Sequence, residues 1–186
     1  MLEATRPYGA PVKGYTSPTL SFALAREPWQ LRGYWALRRE IFCRETQLFS
    51  SSLRERDEHD RRALPIVALA HCAGLALDVV GVVRIYEDEP GVWYGGRLGV
   101  SAAYRKRPSV GSGLIATAVG LAKGQGCERF LARVLAENGR YFGRHHFATC
   151  GELELCGRRH FAMQADLDAF VSLPAAVALG GATEAA

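Results

Sequence analysis

Between Arg97 and Ile115 the chain reads RLGVSAAYRKRPSVGSGLI: a short apolar strand, three basic residues, a Pro-Ser turn and a Gly-Ser-Gly helix start. A glycine-containing loop that feeds a helix offers unpaired N–H groups and the positive end of the helix dipole, which together bind phosphate. From Lys106 to Gly113 the loop has seven backbone donors, because Pro108 supplies none. Arg105, Lys106 and Arg107 add charge where a pyrophosphate or a 3′-phosphate could lie. A solvated loop is the plainer reading. The net charge of +4 is too mild to argue for nucleic acid.

Proton-handling groups come next. Glu45, Asp57, Glu58 and Asp60 could act as bases through water or as counter-charges for a cationic amine. They could equally form a solvated acidic turn beside Arg54, Arg56, Arg61 and Arg62. His145 and His146 stand between a helix and a strand, where a proton relay could operate. His160 starts the last strand beside Arg158 and Arg159, while His59 and His71 have no evident partner. Arg84 and Arg97 interrupt apolar strands, so each needs a carboxylate partner or a ligand. Glu45 or Asp57 could be that partner, or an acceptor carboxylate could. No two histidines have metal-site spacing, and no metal is expected. The five cysteines are odd in number and widely spaced, and read as free thiols.

Alternating elements must position these groups. TLSFALA (19–25) reads as a strand, and Pro28 suits the first position of a helix carrying Leu31, Tyr34, Leu37 and Ile41. PIVALAHC and ALDVVGVVRIYE are strands, EDEPG is a hairpin turn, and VWYGGRLGV returns. Gly95-Gly96 suggests a bulge or a close backbone approach. A helix follows from about Val110 to Lys123 with two apolar rows, stopped at Gly124. RFLARVL is a strand, GRYFGR a short helix, and the last stretch two strands around Gly157. The order β-α-β-β-β-α-β-α-β-β predicts an α/β fold, a mixed sheet with helices on its faces.

The 186 residues are 48% apolar and 23% charged, a composition for one soluble domain. Three lysines among 23 basic residues leave a strong arginine bias, which suits an anionic ligand. The pattern divides the chain into a flexible segment 1–18, a domain over 19–172 and a flexible tail 173–186. No apolar run is long enough to span a bilayer, and the first residues lack the apolar core of a signal peptide. A cytoplasmic protein without membrane contact is expected.

On these residues the chain resembles the GNAT acyl-CoA-dependent N-acetyltransferases. LGV (98–100), Tyr104-Arg105 and VGSGLI (110–115) stand where that family has its strand end, its P-x-Y-R and its R/Q-x-x-G-x-G/A. Lys106 falls at the Arg/Gln position, Ser109 at the first glycine and Gly111 at the second, in a loop one residue longer than usual. ARVLAENGRYFGRHHFATCGE (132–152) is similar to the family's second half. CGRRHFAMQADL (156–167) looks like the end of a bacterial GNAT subgroup associated with nitrogen starvation. The likeness covers about residues 27–168.

The resemblance implies a GNAT fold, with a mostly antiparallel sheet splayed between strands four and five. It implies transfer of an acetyl group from acetyl-CoA directly to the amine of a small molecule. The acyl donor would be held by Leu98, Gly99, Val100, Arg105, Lys106, Arg107, Ser109, Val110, Gly111, Ser112, Gly113, Asn138 and Phe142. Backbone N–H groups near Gly99 and Val100 would face the thioester carbonyl. Phe142 occupies the place of the family's usual acid, a Tyr, so Tyr141 is the expected proton donor to the thiolate. The alternative is a thiolate that leaves without one. Glu45 is the expected base, and many relatives dimerise. A non-catalytic acyl-CoA-binding or sensor module is the other reading of Phe142 and of a fourth strand that lacks a Glu.

Overall fold

The computed structural model describes residues 19–49, 55–72 and 74–174. The segment 1–18 and most of the tail lie outside the described residues. Seven strands form one sheet: β1 (Thr19–Leu24), β2 (Leu64–Cys72), β3 (Leu75–Glu89), β4 (Val92–Val100), β5 (Arg129–Leu135), β6 (Phe147–Leu155) and β7 (Arg158–Ala165). Their order is β1-β2-β3-β4-β5-β7-β6, antiparallel except for the parallel pair β4–β5.

Helix α1 (Pro28–Arg39) covers one face of the sheet. Its start is fixed as the sequence predicts, by Pro28 at the first position. Glu27 and Gln30 add a capping box. It continues as a wider π-type turn over Glu40–Glu45. Tyr34 packs there with Val67, Leu69, Val79 and Val82. Helix α2 (Pro108–Lys123) covers the opposite face. Both of its apolar rows, Leu114/Ala118/Leu121 and Ile115/Val119/Ala122, are buried. Runs such as VVGVV in β3 are continuous rather than alternating because helices cover both faces of the sheet.

Two expectations shift. Helix α2 starts at Pro108, two residues before Val110, because the fixed φ of proline already suits the first helical turn. Gly124 stops it as expected, with a right-handed φ of −66°, the left-handed residue being Gly126 at +87°. Leu173 is also still docked: its N–H donates to the Gly120 carbonyl (2.9 Å), while Lys123 Nζ donates to the carbonyls of Leu167 and Phe170.

The opening that makes a site lies in the middle of the sheet. β4 and β5 pair only from Val92–Arg129 to Gly95–Ala132; beyond that both continue without each other. The cause sits next to the glycine pair. Arg97 and Leu98 together oppose Val83, a β-bulge in which Arg97 adopts a left-handed φ of 55°. A bulge bends its strand and sharpens the twist, which carries β4 away from β5. Gly95 is the close approach: a Cβ there would stand 2.8 Å from the Phe130 ring.

Candidate active site

A cavity of about 860 Å³ runs through this opening. At one end stand Arg107, Pro108 and Gly111 of the α2 start, and at the other Asp57, Arg84 and His160 on the α1 face. Between them lie the bulged edge of β4 and the short helix α3 (Gly139–Gly143).

The register decides which backbone donors face the gap. The Ser101 N–H donates to the Val80 carbonyl (2.9 Å), and Gly99 pairs with Val82 two residues earlier. Alternation in an antiparallel ladder therefore turns Gly99 toward β3 and the groups of Val100 away from it. Arg105 Nε confirms the direction by bonding the Val100 carbonyl (2.9 Å). Val100 thus presents its N–H to the open edge, and Leu98 lies at the bulge. Gly99 serves packing instead, since a Cβ there would lie 2.8 Å from Ile41 Cδ1.

The early start of α2 rearranges the expected phosphate cradle. The Arg107 N–H is spent on the Tyr104 carbonyl and that of Val110 on the Arg107 carbonyl, so fewer than seven donors stay open. Val110 is fully buried in the core. Ser112 lies in the second turn, with its hydroxyl on the Pro108 carbonyl (3.0 Å). Gly113 faces β1, where a Cβ would collide with the Phe22 ring. Lys106 and Ser109 stand exposed at the turn. Gly111 looks into the cavity, and a Cβ there would lie 2.3 Å from the Tyr141 hydroxyl.

Tyr141, Phe142 and Asn138 all line the cavity. Phe142 stacks edge-on against Phe147 (5.3 Å), which fixes the ring in the core. Burial raises the Tyr141 hydroxyl above its ordinary pKa, so it keeps its proton at neutral pH. The His145 ring lies edge-on to it at 4.5 Å. Burial, then Arg144 and His146, lower the His145 pKa and hold that imidazole neutral. Glu45 does not line the cavity; it is ion-paired to Arg105 at the outer end.

Behind the β4 bulge lies an ion lattice. Buried Arg38 binds Glu55 (2.7 Å), Asp60 (2.7 Å) and the Tyr34 hydroxyl (2.9 Å). Arg84 binds Asp57 through both terminal nitrogens (2.7 and 2.6 Å) and also Asp60 (2.8 Å). Arg97 reaches Glu55 (3.1 Å) and Asp57 (3.2 Å), and lies over the Phe49 ring. Three guanidinium groups thus meet three carboxylates, which answers what Arg84 and Arg97 pair with: Asp57, with Asp60 and Glu55. The left-handed backbone of Arg97 costs about 1 kcal/mol, and these contacts on its side chain offset it.

Sequence reasoning missed Glu55 and Arg38. Arg38 carries a legible signal, one helical turn beyond Tyr34 on the apolar stripe of α1. His59 and His71 gain partners: His59 stacks on Tyr86 (4.4 Å), and His71 Nε2 meets Ser21 Oγ (2.6 Å). Tyr86 stacks on Tyr94, over which Arg133 lies. Among the described residues, no three His, Cys, Asp or Glu are placed to hold a metal ion. No helix there is long and apolar enough to cross a membrane.

The lattice makes a pH prediction. Burial works against the Asp60 carboxylate, but hydrogen bonds from Arg38 and Arg84 outweigh it and hold the pKa at about 2. Asp57 is likewise lowered, burial again being outweighed by Arg84 and Arg97. A depressed native pKa gives stability that is complete above an unfolded value near 4 and is lost as pH falls toward 2. Acid denaturation followed by circular dichroism should show this, and Asp60→Asn should flatten stability between about pH 4 and pH 2.

The acetyltransferase (GNAT) family model matches residues 26–147. Among solved structures, a candidate N-acetyltransferase from Lactobacillus plantarum is 18% identical, with 82% of this chain and 99% of that one covered at a TM-score of 0.67. Escherichia coli ElaA is 17% identical over 80% and 99% of the chains, at 0.64. An acyl-CoA N-acyltransferase from Pseudomonas aeruginosa is 19% identical over 80% and 99%, at 0.62. No curated protein sequence matches the chain. The split sheet matches the fold of these neighbours, and with the family model covering well over half of its length, this chain belongs to the GNAT family of acetyltransferases.

Proposed function

We propose that the protein is an N-acetyltransferase that moves the acetyl group of acetyl-CoA directly to the amine of a small molecule. The observation that carries this reading is the bulged edge of β4, opened beside the start of α2. It gives a thioester arm a slot between two strands, with the anionic end of CoA near Arg107 and the positive end of α2. In that slot the Val100 N–H is the donor available to an oxyanion, already oriented by the ladder on its other side. Asn138 lines the same slot from its β5 side.

Transfer needs a neutral amine whose lone pair attacks the thioester carbon. The new N–C bond forms, the C–S bond breaks, and the thiolate must be protonated. Tyr141, kept protonated by burial, is the donor for that last step. Phe142 stays in the core and supplies a wall. Glu45, held by Arg105, braces the loop before α2 instead of serving as the base.

The likeness of CGRRHFAMQADL to the nitrogen-starvation subgroup supports a place there, and a cytoplasmic enzyme, dimeric like many relatives, fits the same reading. The experiment is transfer itself: release of CoA from acetyl-CoA, matched mole for mole by acetylated amine. A chain that binds acetyl-CoA and acetylates no amine would instead be the non-catalytic module.

A further inference from the structure

The amine must lose a proton, and the carboxylates near the cavity are committed elsewhere. Asp57 and Asp60 belong to the arginine lattice, Glu45 to Arg105 and Glu137 to Arg158 (3.1 Å). One buried group lining the cavity has an uncommitted lone pair. His160 is 6% exposed, and its Nδ1 lies 2.8 Å from the Arg158 carbonyl. A carbonyl can only accept, so Nδ1 carries a hydrogen, and the position left for the ring's lone pair is Nε2. Among the described residues, nothing hydrogen-bonds that Nε2.

Register places this ring at the reacting level. β4 and β5 last pair at Gly95 and Ala132; three residues further along each strand stand Leu98, in the bulge, and Leu135. Leu135 pairs with His160 on β7. His160 therefore stands level with the bulge, across the open gap. Alternation also fixes its face. Phe161 packs on Gly139 and the α2-side core, so His160 turns to the opposite face, shared with Arg133 and Tyr94, where the cavity is also lined by Asp57 and Arg84.

Across β5 it faces Leu135 and across β6 Leu153, both apolar. The charged groups nearest in register are Arg133, Arg158 paired with Glu137, and Arg159 paired with Glu152.

We propose that His160 Nε2 is the general base, taking the proton of the attacking amine directly or through one water. This rests on the acetyltransferase reading above. The proton leaves the amine nitrogen as the N–C bond forms and passes to Nε2. The thiolate takes one from Tyr141, and solvent exchange resets both side chains.

His160→Asn tests it, because the Asn amide keeps a donor near Nδ1 and removes the base. CoA release from acetyl-CoA is followed with a panel of primary amines, and with water as reference acceptor, between about pH 6 and 9. The variant should bind acetyl-CoA as the native chain does, lose about 100-fold in rate, and lose the imidazole inflection from its pH profile. A variant within about threefold of native with the same inflection overturns the proposal. Nitrogen spectra of the native protein decide independently of folding in the variant. They should show His160 as the Nδ1–H tautomer, with Nε2 shifting when acetyl-CoA is added. An Nε2–H tautomer, or an unmoved signal, overturns it. Failure of the native chain to bind acetyl-CoA defeats the underlying reading, and the proposal with it.

Discussion

Arg38→Met should destabilise the fold by about 3–5 kcal/mol, the range for breaking a buried ion pair from one side. Arg38 is fully buried and Glu55 is 2% exposed. Without the guanidinium, three carboxylates share Arg84 and Arg97, and Glu55 keeps only Arg97 as its cation. For a chain of this length the melting temperature should fall by at least about 6 °C. The effect should also reach the site, since Arg97 is held in its left-handed conformation by Glu55 and Asp57. Acetyl-CoA binding should therefore weaken in any Arg38→Met that still folds. The exposed pair Arg159–Glu152 is the control, and Arg159→Met should move stability by less than about 1 kcal/mol. Equal melting temperatures for the two variants would contradict the lattice account.

Gly111→Glu should lower acetyl-CoA affinity by about 100-fold or more, equivalent to roughly 2.7 kcal/mol. Gly111 lies in the first turn of α2 and faces the cavity, so a carboxylate there repels phosphate where the helix dipole attracts it. Any side chain at 111 also displaces the Tyr141 hydroxyl, 2.3 Å from the Cβ position. Gly111→Ala separates the two effects, because it moves the tyrosine and adds no charge. Calorimetric titration should rank native first, Ala close behind and Glu far below. An Ala variant as weak as Glu would assign the loss to Tyr141 rather than to charge.

Most of the fold is legible in the residues, and the reason is periodicity. The two apolar rows of α2 and the continuous runs of β2 and β3 carry their own burial pattern, whereas the placing of β7 between β5 and β6 is set by the assembled sheet. The site is legible in outline only. RKRPSVGSG is legible as a basic turn before a helix, yet Pro108 moves the helix start, so that Ser112 bonds back to the Pro108 carbonyl and Gly113 packs on Phe22. Gly99 and Val100 look alike as donors until register separates them. The ion lattice joins Arg38 to Glu55 and Asp60 across a loop, a pairing of distant residues that no local pattern encodes. His160 is visible as a histidine, but its tautomer and its level beside the bulge are properties of the sheet.

A single turnover of carbonyl-labelled acetyl-CoA with a primary amine tests the central claim most directly. Intact protein mass and carbon spectra are followed together. The account predicts that label passes to the amine as an amide while free CoA appears in equal amount, and that the protein never gains the mass of an acetyl group. Label arriving first on the protein would contradict direct transfer across the β4–β5 gap, and label that stays on CoA with every amine would contradict the transferase reading itself.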